Sequence, residues 1–218
     1  MARQARGRNP RGTGARLRDE IVDAGIALID DTNDAAALTL RGVARTAGIA
    51  APSIYRHFPD LQAVTDAVLE RSFTQLETLV AAAMQAAPDP VAALLAGCRA
   101  YVQFGWDHRA RYRLMFADSG FAPNAVNTFT LIENVIAECA RSGSSTSTDP
   151  HGDTFLLWVA LHGIATLQKP ARADYLRLGP LDRPAAVQVL VRRLAGLGSR
   201  PLSGTTDRGQ ALRSRSDL

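Results

Sequence analysis

The chain has 218 residues, 46% hydrophobic and 6% aromatic, enough to bury one or two helical cores, and no stretch alternates apolar and polar residues as a strand would. Its net charge of +4 and isoelectric point of about 9.6 agree with an anionic partner. No apolar run approaches the roughly 20 residues needed to span a bilayer, so an all-α, soluble, cytoplasmic protein without membrane contact is expected.

The opening segment up to Arg18 holds Arg3, Arg6, Arg8, Arg11, Arg16 and Arg18 with no acidic residue, interspersed with Gly7, Pro10, Gly12 and Gly14. Such a composition predicts a basic arm, disordered when free, over residues 1–15. Two readings of it stay open: an arm that neutralises DNA phosphates or enters a minor groove, and an ordinary solubilising tail. A first helix follows, with Leu17, Ile21, Ala24, Gly25 and Leu28 at helical spacing, and the polar run from Asp30 to Asp34 breaks it.

Residues 39–58, TLRGVARTAGIAAPSIYRHF, predict two short helices joined at a sharp corner. Thr39 caps the first, whose buried stripe is Leu40, Val43, Ala44 and Ala47. Gly48 ends it in the left-handed conformation a tight turn needs, with Ile49 buried at the corner. Pro52 starts the second, whose Ile54 and Phe58 face inward. Ser53, Tyr55, Arg56 and His57 are left outward, donors suited to phosphates and base edges in a major groove. The pattern is a helix-turn-helix, and residues 16–62 are expected to form one domain around it.

Asp60 can cap a long helix carrying Val64, Val68, Phe73, Leu76, Leu79 and Val80 to about Ala86, and Pro88-Asp89-Pro90 then starts another. Further helices are expected at about 91–106, through Tyr112 to Phe116, at 124–141, at 154–168 and at 184–197, giving a second helical domain over 63–198. The Ser-, Gly- and Arg-rich residues 199–218 are expected to be disordered. Cys98 and Cys139, far apart and each in an apolar helical stretch, read as buried reduced thiols.

The run from Leu40 through YRHF, continued by Pro59, Asp60, Val64, Val68 and Leu69, resembles the DNA-binding domain of the TetR family of bacterial regulators over about residues 15–70. The resemblance implies a DNA surface drawn from Thr39, Arg41, Ala51, Pro52, Ser53, Tyr55, Arg56 and His57. Within it, Tyr55 and His57 would meet backbone phosphates, and Ala51 to Ser53 would lie closest to the bases. The chain departs from the family just after Asp60, where the usual lysine is absent and Leu61 and Gln62 stand instead, leaving Arg56 or the arm to compensate.

RYRLMF at 111–116 and WVALHGIATL at 158–167 resemble a C-terminal domain of such regulators named for Trp158, His162 and Gly163. Trp158 and His162, four apart, stack on one helix face, and Gly163 is expected to let another helix approach. Read as residues, they are a packing anchor and a satisfied core histidine. The family likeness implies an inducer cavity, for which the candidates are Tyr101, Phe104, Trp106, Phe116, Phe129, Phe155, Trp158 and, as polar contacts, Arg111 and His162. Tyr112, Phe121 and Arg99 belong to the same region. A small hydrophobic or aromatic ligand would suit those walls.

A homodimer on a palindromic operator in double-stranded DNA is expected, because one helix-turn-helix reads only a few base pairs. The last two helices, with Leu156, Leu157, Val159, Leu161, Ile164, Val187, Val189, Leu190, Val191 and Leu194, are the expected interface. An enzyme is poorly supported. There is no glycine-rich phosphate loop, nucleophile elbow, paired-histidine metal motif or zinc-spaced cysteine pair, so neither cofactor nor metal is expected. Asp107-His108 and His151-Gly152-Asp153, the two places where histidine and carboxylate lie close, read as surface turns. The other alternative is a helical small-molecule-binding or scaffold protein that has lost DNA binding.

Overall fold

The computed structural model describes residues 13–117, 125–167 and 183–198. Expectations for residues 1–12, Phe121 and the tail 199–218 lie outside the described residues. Within them the chain is helical: α1 (Thr13–Thr32), α2 (Leu40–Thr46), α3 (Leu61–Gln85), α4 (Pro90–Asp107), α5 (Arg109–Phe116), α6 (Ala125–Arg141), α7 (Pro150–Thr166) and α8 (Arg183–Leu194). Short 3₁₀ segments lie at Ala35–Ala37 and Ala51–Arg56. No helix among the described residues is long and apolar enough to cross a membrane.

Four of these helices begin where a side chain supplies the missing first-turn acceptor. Thr39 accepts from Gly42 N, Asp60 from Ala63 N, Asp89 from Ala92 N and Asp149 from Gly152 N. Asp149 with Pro150 behind it starts α7 four residues before the expected Thr154, so His151-Gly152-Asp153 is a first helical turn and not a surface loop. α1 likewise begins at Thr13, which places Arg16 and Arg18 on a helix and not in the arm.

Two apolar cores share α3. Its first half contributes Val64, Ala67 and Val68 to the core of α1 and α2, beside Ile21, Ile29, Val43, Ile54 and Phe58. Its second half contributes Phe73, Leu76, Val80 and Met84 to the core of α4, α6, α7 and α8. The first core therefore runs past residue 62. At the changeover sits Ser72, fully buried, its hydroxyl donating to Val68 O at 2.6 Å. α5 also serves both cores: Ala110 packs in the first, Tyr112 and Met115 in the second.

The apolar face of α7 and α8 divides differently from the expectation. Leu157, Leu161, Val187 and Val191 are buried in the chain's own core. Phe155, Leu156, Val159 and Val189 point out. Among the described residues of one chain no close approach occurs at Gly163, where a Cβ would meet nothing within 4 Å. It occurs instead at Gly105, where a Cβ would lie 2.8 Å from Ala165 Cβ. Cys98 and Cys139 are buried free thiols, and burial pushes the Cys98 thiol up to about 12.

Candidate nucleic-acid interface

The corner between α2 and the following 3₁₀ segment is built as its residues dictate. Gly48 has φ +66, the left-handed region open to glycine, and Ile49 N returns to Ala44 O at 2.9 Å. Ile49 itself is half-buried against the first core. The second helix is 3₁₀ and not α over Ala51–Arg56, with Ser53 N to Ala50 O and His57 N to Ile54 O both 2.8 Å. Pro52 removes one donor, and six residues between a corner and Pro59 leave room for little more than tight i→i+3 turns.

Ile54 is fully buried and Phe58 nearly so, which braces the segment and fixes what it presents. Tyr55 is 59% exposed, Arg56 and Pro52 are exposed, and Ala51, Ser53 and His57 are half-buried. Thr39 and Arg41 open the same motif at the start of α2, both exposed, although the Thr39 oxygen is occupied by its cap at 3.0 Å. Arg45, which the sequence pattern did not single out, is exposed in the last turn of α2. Among the described residues Arg41, Arg45 and Arg56 enter no ion pair, so three guanidinium groups remain available beside an exposed phenol.

At the departure after Asp60, Leu61 turns into the first core and Gln62 donates to Asp66 at 2.8 Å. Neither replaces a lysine. Arg18 stands with its guanidinium 4.9 Å from the centre of the Phe58 ring, while Arg16 pairs with Glu20 at 3.0 Å.

The aromatic candidates of the second domain fall into separate groups. Tyr112 is the hub of one: its hydroxyl donates to Tyr101 Oη at 2.8 Å and lies 2.9 Å from His162 Nδ1. Phe116, Trp158 and His162 pack ring on ring around it, with Phe116 to His162 at 4.9 Å and Trp158 to His162 at 5.9 Å. Burial pushes the Tyr101 phenol up to about 12, raises that of Tyr112 as well, and lowers the basicity of His162. The group is therefore a neutral hydrogen-bonding chain in an aromatic wall.

Other candidates lie apart from that hub or are otherwise committed. Trp106 donates its indole N–H to Ile164 O at 3.2 Å. Phe129 is buried edge-on to His151, and Phe155 is 48% exposed on α7. Phe104 lies between His108 and Arg111. Arg111 is 1% exposed and engaged with Asp30, at 3.1 Å, and Gln75, at 2.8 Å, so it does not present its charge to a ligand. His108, expected in a surface turn, is half-buried beside the same Asp30 at 2.9 Å. A groove of about 280 Å³ between α4 and α8 is lined by Arg99, Ala100, Val102, Gln103, Trp106, Pro184 and Val187. No cluster of three metal-ligating side chains occurs among the described residues.

A family model for the N-terminal part of bacterial regulatory proteins of the tetR family matches residues 21–68, the span that holds this corner and its core. A second, for the tetracyclin repressor-like C-terminal domain, matches residues 94–194. The chain belongs to the TetR family. Trp158, His162 and Gly163 fall within the second match. Among solved structures, a Rhodococcus sp. RHA1 protein of unknown function is 25% identical, with 84% of this chain and 96% of that one covered and a TM-score of 0.68. A TetR-like transcriptional regulator, also from Rhodococcus sp. RHA1, is 18% identical over 87% of this chain and all of its own, with a TM-score of 0.58. RolR in complex with resorcinol is 16% identical over 88% of this chain and 98% of its own, with a TM-score of 0.62. These last two share the fold. A TetR-family fold of this kind makes the chain a ligand-responsive, DNA-binding regulator.

Proposed function

We propose that the protein is a repressor that binds a palindromic operator as a homodimer and leaves it when a small hydrophobic or aromatic molecule binds among α4, α5 and α7. The observation that carries the DNA half is the exposed Tyr55 and Arg56 beyond a left-handed Gly48, held by buried Ile54 and Phe58. The exposed apolar residues Phe155, Leu156, Val159 and Val189 supply a face for a second copy, and a dimer places two reading heads on two half-sites. It acts by binding, without catalysis, cofactor or metal.

The ligand half is supported by the wall of Tyr101, Tyr112, Phe116, Trp158 and His162, which joins aromatic faces to two phenols and a neutral imidazole. RolR, which shares the fold, is bound to resorcinol, and a small aromatic with hydroxyl groups would suit this wall too. A thermal-shift screen of small phenols and aromatic acids, followed by release from a retained genomic fragment, tests the reading. Compounds that raise the melting temperature and also release DNA support it. Compounds that stabilise the protein yet leave DNA affinity unchanged defeat the coupling, since a ligand shifts an equilibrium only by its differential affinity for the two states.

A further inference from the structure

We infer that Asp30 and Arg111 form a latch that holds the DNA-reading unit in register with α5, which makes Arg111 a positioning residue for DNA binding and not a ligand contact. Asp30 stands in the last turns of α1, next to Ile29, a fully buried member of the first core. Arg111 stands on α5, and its guanidinium alone ties three other helices together. One NH2 group donates to Gln75 Oε1 of α3 at 2.8 Å, the other lies 3.1 Å from Asp30 Oδ2 of α1, and the plane covers Phe104 of α4 at 5.2 Å.

The pairing is incomplete in a way that matters. Arg111 Nε and Asp30 Oδ1 are buried without a hydrogen-bond partner, and His108 Nδ1 approaches the same Oδ2 without the alignment of a hydrogen bond. Drawing the buried Arg111 guanidinium away from the carboxylate leaves its desolvated charge unopposed, which penalises partial separation. A contact so costly to stretch from the Arg111 side favours two arrangements, made and broken, as a transmission element needs.

The neighbouring residue connects this contact to the aromatic wall. Tyr112 points its hydroxyl to Tyr101 of α4 and His162 of α7, and Phe116, one turn on, packs against Trp158 and His162. α5 is eight residues long, so displacement of its Tyr112 face carries Arg111 with it. The latch rests on the reading of the protein as a ligand-responsive regulator, but its existence is testable without DNA or ligand.

The test is the distance between spin labels on Arg45→Cys of α2 and Asn134→Cys of α6, both exposed, in the full chain diluted with unlabelled protein. Cys98 and Cys139 are fully buried and stay unlabelled. Double electron–electron resonance should give one narrow distribution for the parent and for Asp30→Glu, and broadened, displaced distributions for Asp30→Asn and Arg111→Gln. The double variant Asp30→Asn/Arg111→Gln should be no broader than Arg111→Gln, which already removes the Asp30 contact along with those to Gln75 and Phe104. Asp30 is 23% exposed, so Asp30→Asn against Asp30→Glu decides the matter even if Arg111→Gln does not fold. In unlabelled proteins that keep Arg45, retained genomic fragments should bind Asp30→Asn roughly 2- to 30-fold more weakly than Asp30→Glu. An Asp30→Asn distribution as narrow as the parent's, or broadening that adds in the double variant, overturns the latch. Failure of the regulator reading shows differently, as no fragment retained by the unlabelled parent while the labelled parent gives a narrow distribution.

Discussion

Gly105 on α4 faces Ala165 on α7 so closely that a Cβ added to the glycine would lie 2.8 Å from the alanine's. The contact brings α7 onto α4 beside Tyr112, whose ring would be 3.3 Å from the same added atom, and so sets the aromatic wall. Gly105→Val should therefore cost about 1–3 kcal/mol by overpacking. Gly163→Ala, which has open space, should be neutral or stabilise by about 0.4–1 kcal/mol through the unfolded chain. Urea unfolding of the two variants checks the order, and equal stabilities would mean that the helices do not meet at Gly105.

The reading head separates stability from binding. Thr39→Ala removes the cap of α2 and should cost about 1 kcal/mol. Tyr55→Ala, at 59% exposure, should leave stability within about 0.5 kcal/mol of the parent yet weaken retention of genomic fragments. Denaturant melts beside filter binding distinguish the two, and a Tyr55→Ala protein that binds like the parent removes Tyr55 from the DNA surface.

Much of the first domain could be read from its residues. The Thr39 cap, the Gly48 corner and the inward Ile54 and Phe58 are local facts of spacing and backbone freedom, and all appear in the structure. What could not be read depends on partners distant in the chain. Arg111 is separated from Asp30 by eighty-one positions and from Gln75 by thirty-six, so nothing near it announces that its charge is already taken. Gly163 offers a small face in sequence, but the rotation of α7 about its axis turns Ala165 toward Gly105 of α4. The same rotation sends Phe155 outward and Leu157 inward. The start of α7 was legible in principle, from Asp149-Pro150, the signal that correctly opened α4 at Asp89-Pro90.

His162 should impose a pH dependence on stability. Burial lowers its folded-state pKa below the ordinary 6.5, so the unfolded chain takes up the proton first. The contribution is fully present above about 6.5 and is lost as pH falls from there through the lowered folded value. Thermal melts from pH 8 to pH 5 should show a smaller decline for His162→Gln than for the parent, and parallel declines would contradict the assignment.

Residues 1–12 and Arg18 should contribute differently. Deleting residues 1–12 removes Arg3, Arg6, Arg8 and Arg11 and should flatten the salt dependence of DNA affinity by roughly 0.9 log unit for each phosphate no longer neutralised. Arg18→Ala should instead lower stability by about 0.5–1 kcal/mol, because its guanidinium stacks on Phe58. An unchanged salt slope after truncation returns the arm to a solubilising tail.

If the Tyr55 face reads a two-fold site, footprinting on genomic fragments selected by the full-length protein should reveal the symmetry. Two inverted half-sites about one helical turn (roughly 34–36 Å) apart should be protected, at a stoichiometry of two chains per site, and the protection should disappear with Tyr55→Ala. Protection of a single unrepeated site, or no fragment retained above random DNA at low salt, would refute two-fold reading by this face.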